Sequence, residues 1–153
     1  MDSSSTLHSE RMSRCIVLLV EDNPGDVGLM RAALREMRFP VQLHVAADGL
    51  TALRFLHREE DYAQAPRPDL IVLDLNLPPP HGLEILAAVK HEPPLQLIPV
   101  VIFTSSSEPT DIRTSYRLGA SAYLQKPLEL GAYLARVKGL LGLWCQHALF
   151  PPR

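Results

Sequence analysis

Three stretches of the chain are apolar without a break and end abruptly in polar or turn-forming residues: Cys15-Ile-Val-Leu-Leu-Val20, Leu70-Ile-Val-Leu73 and Ile98-Pro-Val-Val-Ile-Phe103. Runs this short and uniform predict strands buried on both faces, as in a parallel sheet. Pro99 is tolerated near the start of its run, where no ladder donor is needed. Val41 to Ala46 alternates apolar and polar side chains, which puts that strand nearer the sheet edge. Ser121 to Leu124 predicts a short fifth strand.

Helical spacing returns between these runs. Val27, Leu29, Met30, Ala33, Leu34 and Met37 recur at helical intervals after Asn23-Pro24-Gly25, and Phe39-Pro40 stops that helix. Asp48-Gly49 opens a second helix carrying Leu50, Leu53 and Leu56. His57 to Pro68 is charged and reads as a long connection. A third helix runs roughly from Gly82 to His91, with Leu83, Leu86, Ala87 and Lys90 in register, and Pro93-Pro94 ends it. Glu108-Pro109 starts a fourth, carrying Ile112, Tyr116 and Leu118 and closed by Gly119. The fifth starts near Leu128 and extends to about Leu149, with Leu130, Leu134, Val137, Leu141, Trp144 and Ala148 on one stripe. Strand and helix alternate five times. The fold class is α/β, a flavodoxin-like (βα)5 doubly wound parallel sheet with an extended C-terminal helix. Strand order 2-1-3-4-5 is what that class leads one to expect.

Composition adds mostly exclusions. A chain of 153 residues builds one domain with a core. A formal charge of -2 gives no bulk electrostatic reason for a nucleic-acid or membrane partner. No run approaches the length of a membrane span, and Met1 to Arg14 lacks the apolar region of a signal peptide. Residues 1–13 read as a disordered leader, 14–150 as the folded domain and 151–153 as a tail. Cys15 reads as a small buried hydrophobe. With Cys145 far away in sequence, no disulfide framework or metal spacing is visible, which fits a reducing cytoplasm.

The chemistry collects where the strands end. Glu21 and Asp22 follow the first strand, Asp74 and Asn76 the third, Thr104 and Ser105 the fourth, and Lys126 the fifth. In an open α/β sheet all of these reach the ligand-binding edge. Three carboxylates crowded there would repel one another, which a hard divalent cation such as Mg²⁺ relieves. A carboxylate beside Mg²⁺, a lysine and a hydroxyl can attack a phosphoryl group, giving an aspartyl phosphate at Asp74. Taken singly, the residues have plainer readings. Asp22 or Asn23 serves equally as a cap of the first helix, Thr104 and the serines as a cap of the fourth, Lys126 as a solvated lysine, and Tyr123 as core or rim. Asp74 is harder to set aside, because an acid between Leu73 and Leu75 needs a partner.

Glu21-Asp22, Asp74, Thr104 and Lys126-Pro127, each after its own strand, resemble the receiver domain of two-component response regulators. Glu-Asp-Asn-Pro, Asp-Leu-Asn-Leu-Pro, the Thr-Ser-Ser run and a C-terminal Trp followed by Pro-Pro are similar to the single-domain regulators that partner bacterial phytochromes. The resemblance covers about residues 14–152. One departure from the pattern is the longer His57 to Pro68 segment. It implies phosphorylation of Asp74 by a sensor histidine kinase of phytochrome type. It implies Mg²⁺ held by Asp22, Asp74 and the Asn76 carbonyl, with Glu21 acting through water. Thr104 and Tyr123 would be the switch pair, and Lys126-Pro127 a cis bond. Output would pass through protein contact or phosphorelay. A haloacid-dehalogenase-type phosphatase also uses an aspartyl phosphate and Mg²⁺, but it would want an acid at position 76, where this chain has Asn. A flavodoxin would want a phosphate loop where Glu21 and Asp22 stand.

The end of the fifth helix is more apolar than a domain core requires, since Leu143, Trp144, Leu149 and Phe150 cannot share one inward stripe. A broadly packed helix end and a dimer interface both account for that. The resemblance implies a homodimer through helix four, strand five and helix five.

Overall fold

The structure, a computed structural model, describes residues 14–152. The predicted leader lies outside them. Strand β1 (Cys15–Val20) leads into helix α1 (Pro24–Arg35), and β2 (Val41–Ala46) into α2 (Gly49–His57). After a 3₁₀ turn at Glu60–Tyr62 come β3 (Leu70–Leu73) and α3 (Gly82–His91). The pairs β4 (Val100–Thr104) with α4 (Pro109–Arg117) and β5 (Ala122–Gln125) with α5 (Leu130–Leu141) complete the domain. The five strands are parallel in the order β2-β1-β3-β4-β5, the order expected.

Alternation along each strand builds two cores, one on each face of the sheet. Leu18, Val20, Ile71, Leu73, Val100 and Ile102 pack toward Phe55 and Leu56 of α2 and Ile85, Leu86 and Val89 of α3. Their neighbours Val17, Leu19, Leu70, Val72, Val101 and Phe103 pack toward Met30 and Ala33 of α1 and Tyr133, Val137, Leu140 and Leu141 of α5. Both sides are covered, so no polar face survives on the central strands. Each such side chain contributes about 1.5–3 kcal/mol by burial. On the helices the buried set differs from the predicted stripes. Leu50 and Leu130 lie largely in solvent, while Ala52, Phe55, Tyr133 and Leu140 carry the contacts.

Three expectations are corrected. The fifth helix is regular only to Leu141, and Glu129 caps it at the start by accepting from the Gly131 and Ala132 N–H groups. It then widens into a π turn, Gly142–His147, in which the Ala148 N–H donates to the Leu143 carbonyl at 2.8 Å. From Ala148 the chain is extended, and Phe150 stacks on Trp144. The cis peptide bond among the described residues joins Pro79 to Pro80, not Lys126 to Pro127. Both are X-Pro bonds, for which either isomer costs little.

Finally, Cys15 and Cys145 form a disulfide across 130 residues, with Cα atoms 5.3 Å apart. The reason is topological. Helix α5 runs back against the strand direction, so the turn that follows it ends over the N-terminal edge of the sheet, where Cys15 opens β1. Cross-linking so distant a pair restricts the unfolded chain, by about 2–4 kcal/mol for disulfides generally. Cys145→Ser should lower the denaturation midpoint under non-reducing conditions, and dithiothreitol should lower that of the wild type to match. Equal midpoints with and without reductant, with no cross-linked peptide by mass spectrometry, would contradict the assignment.

Candidate functional site

Register delivers the site residues together. Val20 of β1 pairs with Leu73 of β3, so Glu21 and Asp74 leave adjacent strands at the same height. The Asp74 N–H still donates to the Val20 carbonyl at 3.1 Å, and the Glu21 N–H to the Ala46 carbonyl at 3.0 Å. Thr104 ends β4 opposite Gln125, and the Lys126 N–H donates to the Thr104 carbonyl at 2.7 Å. Gly82 closes the arrangement from below. A Cβ there would lie 2.4 Å from the Asp74 carbonyl oxygen, so only glycine lets α3 start against the backbone of the acid.

The residues converge on an open depression of about 460 Å³ lined by Glu21, Asp22, Asp26, Asp74, Asn76 and Lys126, among others. Glu21, Asp22 and Asp74 each offer a carboxylate oxygen, and these lie within 4.8 Å of one another. Glu21 and Asp74 are buried and Asp22 is exposed. Lys126 Nζ lies 2.7 Å from Glu21, 3.0 Å from Asp26 and 3.0 Å from Asp74. Asn76 donates its N–H to Asp74 Oδ1 at 3.1 Å and its side-chain amide to Ser105 Oγ at 3.1 Å. Thr104 is fully buried, and its hydroxyl accepts from the Asn76 side-chain amide at 3.4 Å and from the Ser106 N–H at 3.5 Å.

Burial and charge pull the two buried acids apart. Burial pushes Glu21 up to about 7, and the negative charge of Asp74 adds to that, outweighing its bond to Lys126. Asp74 pays the same burial cost, but the Asn76 N–H, the Lys126 charge and hydrogen bond, and the Thr104 hydroxyl hold it below the usual carboxylate range. Lys126 is itself held above its ordinary value. Burial pulls it down, and its bonds to Glu21, Asp74 and Asp26 more than compensate. Asp74 is thus an ionised carboxylate at neutral pH, available as a nucleophile. Glu21 carries much of the repulsion.

Glu21, Asp22, Asp74, Asn76, Thr104 and Lys126, the candidate site residues of the sequence, meet at this edge. Tyr123 is half-buried on β5, and its hydroxyl donates to the Ser106 carbonyl at 2.9 Å, two residues beyond Thr104. Asn23, not Asp22, caps α1, accepting from the Gly25 and Asp26 N–H groups. Thr104 does not cap α4, whose start is instead tied through Ser106 to Asp111 and the Glu108 N–H. Asp26 and Tyr133 were missed. Asp26 lies four residues after Asp22, one helical turn on, which was the available signal. Tyr133 belongs to the apolar core on the α1/α5 side of the sheet, yet it also lines the depression beside Asp26.

An acid-ringed lysine at the C-terminal edge of a 2-1-3-4-5 sheet defines a class, and comparison with known proteins gives the same one. The response regulator receiver domain family matches residues 17–138, and the chain belongs to that family. It is similar to response regulator Rcp1 of Synechocystis sp., at 38% identity over 136 residues that make up 89% of this chain and 92% of that protein. The crystal structure of the Mn(2+)-bound form of Rcp1 has a TM-score of 0.87 at 38% identity, covering 90% of this chain and 99% of that one. The phosphorylated cyanobacterial phytochrome response regulator RcpA gives 0.87 at 40% identity, with 91% and 99% covered. The chain is therefore a response regulator related to the phytochrome response regulators.

The raised Glu21 makes a pH prediction for the protein without divalent cations. A carboxyl whose folded pKa of about 7 exceeds its ordinary 4.5 binds its proton more tightly when folded. Its contribution is complete below about 4.5 and is lost as pH rises through 7. Asp74, shifted down, acts in a separate window, losing stability only in acid. In EDTA, thermal melts of Glu21→Gln and wild type should diverge across pH 4.5 to 7, the variant gaining on the order of 2 kcal/mol. A constant difference across that range would show that Glu21 is not raised.

Proposed function

We propose that this response regulator accepts a phosphoryl group on Asp74 from a sensor histidine kinase and signals by protein contact or phosphorelay. The carrying observation is the Lys126 Nζ, 3.0 Å from an ionised Asp74 whose other oxygen is fixed by the Asn76 N–H. A carboxylate oxygen of Asp74 attacks phosphorus, the phosphorus–nitrogen bond of a phosphohistidine protonated on its other ring nitrogen breaks, and the bonding pair leaves with the ring as neutral imidazole. Lys126 and the Thr104 hydroxyl bind oxygens of the transferred group, since positioning and charge stabilisation do most of the work in this chemistry. Thr104 and Tyr123 form the switch pair. Their link through Ser106 gives a motion of the threonine a route to the tyrosine.

Mg²⁺ is the cofactor of this reading. The all-oxygen donor set of Glu21, Asp22 and Asp74 fits a hard cation. Asp22, Asp74 and the Asn76 backbone carbonyl would hold it, with Glu21 acting through water. Bound there, it would neutralise charge on the transferred phosphoryl oxygens. The likeness to phytochrome regulators supports a phytochrome-type kinase as donor, and so a cytoplasmic setting. No described helix is long and apolar enough to cross a membrane. The disulfide is the observation that stands against a fully reducing compartment. The phosphatase alternative lacks its acid, because the Asn76 side chain is a donor held by Ser105.

The chain is further proposed to pair with a second copy through α4, β5 and α5, without nucleic acid. Tyr116, Leu130, Leu143 and Leu149 are large apolar residues left in solvent there and on the adjoining tail. Incubation with acetyl phosphate and Mg²⁺ should add one phosphoryl group per chain by intact mass, and Asp74→Asn should abolish it. The same samples should scatter light as dimers. Labelling that survives Asp74→Asn would sink the acceptor assignment, and a monomeric mass at micromolar concentration would sink the dimer.

A further inference from the structure

A lysine ammonium has three N–H bonds to give. In Lys126 all three are engaged, by Glu21 at 2.7 Å, Asp26 at 3.0 Å and Asp74 at 3.0 Å. An incoming phosphoryl oxygen can receive one only if a present acceptor lets go. Asp74 loses its carboxylate charge when it becomes an acyl phosphate, and so releases its share. Glu21 belongs to the group of carboxylates that could hold a cation, and so would have a second positive partner. Asp26 stands outside that group and keeps both its charge and its hold.

Its hold is fixed from behind. Tyr133 is 5% exposed, its ring packs edge-on against Phe103 at 5.3 Å, and it lines the same depression as Asp26, where burial and the Asp26 charge raise the tyrosine's proton affinity. Asp26 lies between a core tyrosine of α5 and the lysine, where a bond from the tyrosine hydroxyl would pin it. We infer that Asp26 and Tyr133 form a positioning pair that holds Lys126 back from the phosphoryl group and so weakens the site's grip on it. This rests on the reading of Asp74 as phospho-acceptor. The plainer roles are an acid favouring the first turn of α1 and a tyrosine filling the core. Those roles affect stability and leave phosphoryl recognition alone.

The full chain, at saturating Mg²⁺, is titrated calorimetrically with beryllofluoride as phosphoryl analogue. Asp26→Asn frees a charged hydrogen bond and should tighten binding about tenfold. Tyr133→Phe alters no charge at neutral pH and only unpins Asp26, and should tighten binding about threefold. Asp26→Glu, which keeps the acceptor, should stay near wild type. Thermal melts check that each variant is folded. Unchanged or weaker binding in Asp26→Asn overturns the inference. So does tightening in Asp26→Asn with none in Tyr133→Phe, which would reduce the effect to charge. If wild type binds no better than Asp74→Asn, the acceptor reading itself fails, and the inference with it.

Discussion

One ammonium set against four carboxylates governs this site. Lys126 is the cation that lets Glu21, Asp26 and Asp74 share so small a volume, with Asp22 at the rim. Its three bonds are short and largely shielded from water, where such interactions are strong and costly to break. Even so the balance is incomplete. Burial, with the nearby charge of Asp74, raises the proton affinity of Glu21, while the bonds to Asn76 and Lys126 lower that of Asp74. That asymmetry keeps Asp74 ionised and leaves the site short of positive charge, which a divalent cation would supply.

The fold makes that concentration of charge possible. Parallel strands buried on both faces deliver their next residues to one edge. The pairing of Val20 with Leu73 and of Thr104 with Gln125 brings Glu21, Asp74 and Lys126 to one level. Gly82 lets α3 press against the Asp74 backbone. At the opposite edge the Cys15–Cys145 bond ties the first strand to the turn after α5. The turn after α5 is thus tied to β1 through Cys145, while Tyr133 near the start of α5 lines the site.

Much of this was legible in the chain. Unbroken apolar runs marked the central strands because a two-sided core removes polar alternation. The residue after each run then had one place to go, so Glu21, Asp22, Asp74, Thr104 and Lys126 could be brought to one edge before any coordinates. What escaped depended on distances between elements. Asp26 was hidden because a first-turn acid has a sufficient local explanation, and Tyr133 because its ring belongs to the core while only its hydroxyl reaches the site. The disulfide escaped because 130 residues separate its halves, and only the return of α5 to the N-terminal edge brings them together. Leu50 and Leu130 were misassigned to buried faces because leucine spacing alone does not say which side of a short helix meets the sheet.

Completion of the lysine-held acidic cluster by a divalent cation is what its charge requires. It is tested most directly by titrating Mg²⁺ into the chain at pH 7 in buffers of different ionisation enthalpy. Because Glu21 titrates near 7, one cation should bind per chain with release of part of a proton. The release should vanish about two units higher in pH, where Glu21 is already ionised. Binding with no proton release at pH 7, or no binding that depends on Asp22 and Asp74, would contradict the account.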